Sequence, residues 1–257
     1  MLLKLTVTYD GTGFRGWARQ PGERTVEDVL AQGLASVYPA RGPLAVAGRT
    51  DAGVHALANV VSVEVSGGPP FERAVRALNT ALPSDIAVTQ LEAAAPGFHA
   101  RFSARSRSYR YRIWRCPVRS PFEVGRSLWH PAPIDLGRLA ASAAALPGEH
   151  DFRAFTPTDT QHGVFVRTIL DARWRARGEA IEFEISADSF LRHMVRTLVG
   201  TMLERGPEEI ALLLRGAHRS AAGATAPACG LYLVGVGYAP VRGSSTGLPA
   251  ASSQVAG

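Results

Sequence analysis

Polar and apolar residues alternate from Leu2 to Thr8, the period of a strand with one buried face. Thr25-Val-Glu-Asp28 then has the form of a capping box, and Val26, Val29, Leu30, Leu34 and Val37 follow at helical spacing, which predicts a helix. Pro43 to Ala47 reads as a short strand and Ala58 to Val65 as a longer one, ended by Ser66-Gly-Gly-Pro-Pro70. A helix from Phe71 to Leu82 and a strand from Ile86 to Leu91 complete the order β-α-β-β-α-β, in which both helices cover one face of an antiparallel sheet.

The second half repeats that order with different residues. Arg107 to Arg115 is predicted as a strand, Leu136 to Leu146 as a helix, and Val166 to Arg177 with Ala180 to Ala187 as a hairpin around Gly178-Glu179. Phe190 to Glu204 reads as a strong helix and Leu231 to Tyr238 as a strand. The expected fold class is α+β, with two similar ferredoxin-like halves at residues 1–96 and 97–240 joined near Pro96-Gly97. Val241 to Gly257 holds Gly, Ser, Ala and Pro without period and is expected to be a disordered tail.

Composition narrows the function classes. Hydrophobic residues make up 46% of the 257 and charged residues 19%, which excludes a disordered chain. No apolar run approaches the roughly 18 residues of a membrane span, and the opening lacks the basic head and apolar middle of a secretory signal, so the expected location is cytoplasmic. Cys116 and Cys229 belong to no paired motif, and the seven histidines form no metal-ligand spacing, so neither a disulfide framework nor a metal is expected. Lys and Arg exceed Asp and Glu by 28 − 22 = 6, which admits a polyanionic partner.

The excess is concentrated. Between Phe98 and Arg119 stand seven arginines, at 101, 105, 107, 110, 112, 115 and 119, interleaved with Phe98, Phe102, Tyr109, Tyr111 and Trp114. On a strand Tyr109, Tyr111 and Ile113 share one face while Arg110 and Arg112 share the other. The pattern fits a cationic face that follows phosphates, with Arg101 beside it, or equally a buried aromatic face backed by solvated arginines.

Gly11-Thr-Gly13-Phe-Arg-Gly16 spells a dinucleotide fingerprint, but Pro21-Gly22 interrupts before the helix, so no helix N-terminus can face a pyrophosphate there. A flexible loop able to close over something is the expectation. Gly48-Arg-Thr-Asp-Ala-Gly53 lacks the Lys and hydroxyl of a phosphate-cradling loop. It leaves one carboxylate, Asp51, between two glycines, with Arg49 on the same side of an extended loop to keep it ionised. That describes a nucleophile or an ordinary polar turn. In Phe190-Leu-Arg-His-Met-Val-Arg-Thr-Leu-Val-Gly200 the apolar stripe Leu191, Met194, Val195, Leu198 and Val199 leaves Arg192 and Arg196 one turn apart on another face. A non-catalytic RNA-binding module, and a glycosidase or nuclease using Asp10 as a second carboxylate, also fit these features.

Gly48-Arg-Thr-Asp-Ala-Gly-Val-His-Ala56 resembles the tRNA pseudouridine synthase A family, as do Tyr9 to Trp17, Leu78-Asn79 before Leu82-Pro83, Phe98-His-Ala-Arg101, Tyr109-Arg-Tyr111, Phe190 to Arg196 and Thr225-Ala-Pro-Ala228 with Gly230-Leu231. The likeness runs from about Met1 to Tyr238. It implies isomerisation of uridines 38, 39 and 40 of the tRNA anticodon arm by a cofactor-free homodimer, whose protomers each carry two α+β halves around a basic cleft. The family's catalytic aspartate falls on Asp51, and its base-displacing arginine on Arg49. The tyrosine that packs on the flipped uracil, a candidate acceptor of the C5 proton, falls on Tyr109, and the arginine that pairs with the aspartate on Arg196. The chain departs from the family at Gly16-Trp-Ala-Arg-Gln20 and Ala187-Asp188-Ser189. A base inside a duplex hides its reactive atoms, so the resemblance also implies base flipping.

Overall fold

The computed structural model describes residues 1–160 and 163–238, so the expected tail lies outside the described residues. Strand β1, Leu2–Tyr9, buries Leu3, Leu5, Val7 and Tyr9 and turns the alternate residues outward, as its period requires. Helix α1, Val26–Val37, begins where Thr25 Oγ1 accepts from the Asp28 amide and donates to the Asp28 carboxylate. The predicted short strand is β3, Ala45–Val46, and an unpredicted β2, Ala40–Arg41, precedes it; both pair with β4, His55–Ser66. Lying inside the sheet, β4 buries residues on both faces, which hides its first residues from an alternation test. Helix α2, Phe71–Ala81, and β5, Ile86–Ala93, follow.

In the second half β6, Ala104–Trp114, leads through β7, Leu128–Trp129, to α3, Leu136–Ala144. Then come β8, Gly148–Asp151, and the hairpin of β9, Val166–Arg177, and β10, Ala180–Ala187. Helices α4, Met194–Glu204, and α5, Pro207–Leu213, precede β11, Leu231–Tyr238.

Among the described residues eleven strands form one mainly antiparallel sheet, with the path β5-β1-β4-β11-β6-β10-β9-β8. The path β5-β1-β4 continued by β3, and the path β11-β6-β10-β9, each place their four strands as fourth, first, third, second in chain order. The fold is α+β, and its two halves share one topology. They are welded where β11 pairs in parallel with the start of β4, Tyr232 with His55 and Leu233 with Ala56. Helices α1 and α2 pack together, as do α3, α4 and α5, and one continuous core runs beneath both groups.

Across that weld the register sets which residues share a face. Tyr9 opposes Ala56, Ala56 opposes Leu233, and Leu233 opposes Tyr109, all buried on the helix-covered side. The neighbouring line, His55, Tyr232, Arg110 and Glu184, lies on the far face.

Candidate active site

The loop carrying Asp51 leaves β3, crosses the sheet near the weld and enters β4. Its floor is fixed by buried polar groups. Asn59, fully buried, donates from Nδ2 to the Gly48 carbonyl at 2.8 Å and to Tyr9 Oη at 3.3 Å. Tyr9 Oη lies 2.8 Å from Thr50 Oγ1, and burial pushes the Tyr9 phenol up to about 12, so it stays protonated at neutral pH. Arg107 donates from Nε and Nη2 to the Ala47 carbonyl and also reaches the carbonyls of Arg101 and Asp188. Burial pulls its guanidinium below the ordinary value, and these carbonyls replace the lost water.

The glycine loop after β1 forms the other wall. The Trp17 amide donates to the Thr50 carbonyl and the Gly53 amide to the Phe14 carbonyl. A Cβ on Gly16, whose φ is +89°, would stand 2.8 Å from the Thr50 carbonyl oxygen, and one on Gly11 would stand 2.1 Å from that of Val54. These glycines serve close backbone packing. The expected flexible loop is instead a buttress for the Asp51 turn, with Gly11 N–H also donating to His55 Nδ1 at 3.0 Å.

Asp51 is 30% exposed in its side chain. Arg196, on α4, donates from Nε to the Ala226 carbonyl and from Nη1 to Asp51 Oδ2 at 3.3 Å. The imidazole Nε2 of His193 lies 3.5 Å from the same oxygen. Asp51 Oδ1 has no partner among the described residues. Tyr109 is buried on the Asp51 side of β6, with its ring edge-on to Phe190 at 5.0 Å. Burial, then the nearby Tyr9 and Asp51, hold its phenol well above the ordinary tyrosine value, and its hydroxyl has no hydrogen-bond partner among the described residues.

Arg49 is exposed and makes no ion pair among the described residues, so the cation that meets Asp51 is Arg196 rather than Arg49. Arg101 is exposed, 5.6 Å from the Phe102 ring centre, in the turn that Arg107 ties to Ala47. Arg110 and Arg112 are not brought to the site. They lie on the far face, where Arg112 is met by Glu123 and Glu182 and Arg110 sits 3.8 Å from Glu182. With Arg112 held by two carboxylates and Arg110 drawn towards Glu182, on the face away from Asp51, the phosphate-following reading is not retained for these two.

Asp10 is also elsewhere. It caps the turn at Gly11–Gly13 and faces His55 and Arg126, and although burial works against it, Thr12, His55 and Arg126 lower its carboxyl overall. It therefore supplies no second carboxylate opposite Asp51. The helix expected from Phe190 begins only at Met194, because His193 takes a left-handed backbone, φ +61°. Arg192 consequently turns to Asp159, while Arg196 turns to Asp51. Sequence reasoning missed His193, Asn59, Tyr9 and Arg107, whose roles arise only in the folded contacts. Among the described residues no three His, Cys, Asp or Glu side chains are grouped so as to hold a metal ion.

A family model for tRNA pseudouridine synthases matches residues 5–103 and 142–239, spanning the Asp51 loop, β9, β10, α4 and β11. The chain belongs to the tRNA pseudouridine synthase family. Similar members are the tRNA pseudouridine synthase A of Pelobacter propionicus, 40% identical over 92% of this chain and 99% of its own, and that of Bacillus subtilis, 39% identical over 93% and 99%. That of Geobacillus kaustophilus is 39% identical over 92% and 94%. The family is one of isomerases, and a single carboxylate set among cations suits isomerisation, which needs no net redox change.

Proposed function

We propose that this chain isomerises uridines 38, 39 and 40 in the anticodon arm of tRNA to pseudouridine, with Asp51 as the nucleophile on a flipped-out base. The observation that carries this reading is the convergence of Asp51, Arg196 and Tyr109 at the weld between the two halves, from loop, helix and strand. Net chemistry breaks the bond from N1 to C1′, turns the uracil and joins C5 to C1′, while the C5 proton leaves and N1 gains one. Arg196 neutralises the resting carboxylate through Oδ2 and leaves Oδ1 to form the covalent bond, to the ribose or to the uracil ring.

Tyr109 stacks on the displaced uracil. Its phenol is held protonated in the resting site, so it acts first as a packing group and hydrogen-bond donor. Arg49, exposed and unpaired, is suited to the gap left by the flipped base, and Arg101 to a phosphate of the arm. The chain acts as a homodimer in this reading, as the family resemblance implies. Action on tRNA is consistent with a cytoplasmic location, and no helix among the described residues is long and apolar enough to cross a membrane.

The deciding experiment is release of tritium from C5-labelled uridine in unmodified tRNA. The wild-type chain should release it and Asp51→Asn should lose at least about 10⁴-fold in rate, as expected for removal of a nucleophile. Binding of tRNA should survive that change. Equal release by Asp51→Asn would exclude the reading, and free uracil or a cut strand as product would replace it with a hydrolase.

A further inference from the structure

Among the described residues His193 is the only one other than glycine with positive φ. Left-handed backbone is unfavourable for a side chain with a Cβ, although histidine tolerates it better than most, so such a residue is kept where surrounding contacts impose it. Capping does not explain it. His193 stands at the N-cap of α4, yet its side chain makes no capping hydrogen bond, and Ser, Asp, Asn or Gly would serve better there.

What the conformation achieves is direction. It ends the Phe190-Leu-Arg segment, turns the chain into α4, and leaves the ring 31% exposed with Nε2 3.5 Å from Asp51 Oδ2. Arg196, one turn later, reaches the same oxygen at 3.3 Å. We infer that His193 is a positioning residue for Asp51: with Arg196 it holds Oδ2 from the α4 side, and so fixes the orientation in which Oδ1 meets the base. This inference rests on the reading of Asp51 as the nucleophile.

The surroundings of the ring define how it should respond to pH. It is faced by Asp51 from the loop, Arg196 from α4, Arg192 from the segment before the helix and Asp159 from the turn beyond. Burial is the largest influence and lowers the His193 value; Asp51 and Asp159 raise it, while Arg196 and Arg192 lower it. The ring is thus uncharged at neutral pH and gains a proton only below the ordinary histidine value of about 6.5. Once protonated, it pairs with Asp51 as a second full cation and restrains the carboxylate from attack.

The test compares wild type with His193→Gly in the tritium-release assay, with kcat and KM for tRNA measured from neutral pH downward. Glycine accepts the left-handed backbone, so the thermal midpoint should not fall. At neutral pH kcat should fall about tenfold, the effect of a loosely aimed nucleophile, with KM changed less than about twofold. The deficit should narrow as pH drops below the ordinary histidine value, because only the wild type then acquires the restraining cation. His193→Asn, whose side chain also tolerates this backbone, should behave alike and guards against a folding artefact. Unchanged kcat in both variants, or a deficit of the same size at every pH, overturns the inference. Asp51→Asn, run alongside, separates the two levels: if it stays active the nucleophile reading itself has failed, whereas an inactive Asp51→Asn with a fully active His193→Gly removes only the role of His193.

Discussion

The two faces of β6 carry similar groups in opposite electrostatic settings. On the far face Arg112 is held by Glu123 at 2.8 Å and Glu182 at 2.9 Å, and Glu182 is also approached by Arg110 and Arg177. Carboxylates there answer the cations, and burial of Glu182 makes the network part of the framework. On the site face one carboxylate, Asp51, is met by Arg196 and His193, while Arg49 stands unpaired nearby in the loop. Arginines in contact with carboxylates build structure on one side, whereas on the other an exposed arginine without an ion pair beside a single partly exposed acid leaves capacity for an anionic substrate.

The sharpest way to break this contrast is to remove one arginine from each face. Arg196→Ala should lower the rate of pseudouridine formation about 10²-fold, as loss of charge support at a reacting group does, with little change in thermal midpoint. Arg112→Ala should do the reverse. Truncation leaves Glu182 buried without its nearest cation, at a cost of about 3 kcal/mol, while the rate per folded molecule stays near wild type. Activity assays on samples whose folded fraction is measured by calorimetry distinguish the two. A variant at Arg112 that is stable but inactive would mean that the far face takes part in the reaction.

The contrast also shows what was legible before the structure. Alternation along β1 and β6 assigned faces correctly, since Leu3, Leu5 and Val7 are buried and Tyr109 and Tyr111 lie opposite Arg110 and Arg112. It could not tell which face carries the site, because period two is blind to the charge that other strands and loops bring up against each side. Glu123, across an irregular loop, and Glu182, 70 residues on, decide that Arg112 is structural. Asp51 stood out because Gly48 and Gly53 flank it. The start of α4 is not legible locally, because Leu191 continues the apolar stripe of the helix and only the left-handed turn at His193 breaks it. The glycine loop reads as mobile in sequence because glycine permits both motion and close packing, and the hydrogen bonds that choose packing link it to Thr50 and Gly53, outside any local window.

A smaller effect sharpens the far-face half of the comparison. Hydrogen bonding from Arg112 is the largest influence on Glu123 and lowers its carboxyl below the ordinary value, against the opposing effect of burial. A carboxylate depressed in the folded state adds stability that is fully present above its unfolded value, about 4.3, and is lost as pH falls through its lower folded value. The wild-type midpoint should therefore decline across that acid window, and in Arg112→Ala the share of the decline owed to Glu123 should shrink, leaving only the part owed to Ser127 and Arg126. Parallel melting curves of the two proteins on acidification would show that the pair contributes nothing to the framework.

The smallest expected effect concerns the exposed cations of the site face. Arg101 makes no ion pair among the described residues and stands on the turn that Arg107 ties to the base of the Asp51 loop, so a tRNA phosphate is the partner its charge fits. Removing one phosphate contact lowers the slope of log affinity against log salt by about 1, whereas an arginine already neutralised within the protein leaves the slope unchanged. Arg101→Ala should accordingly flatten the salt dependence of tRNA binding by that amount, and Arg110→Ala should not. Identical slopes for Arg101→Ala and wild type would remove Arg101 from the interface. A flattened slope for Arg110→Ala would return the far face to contention as a nucleic-acid surface, since only release of counterions from a bound phosphate, and not loss of its contact with Glu182, produces that change.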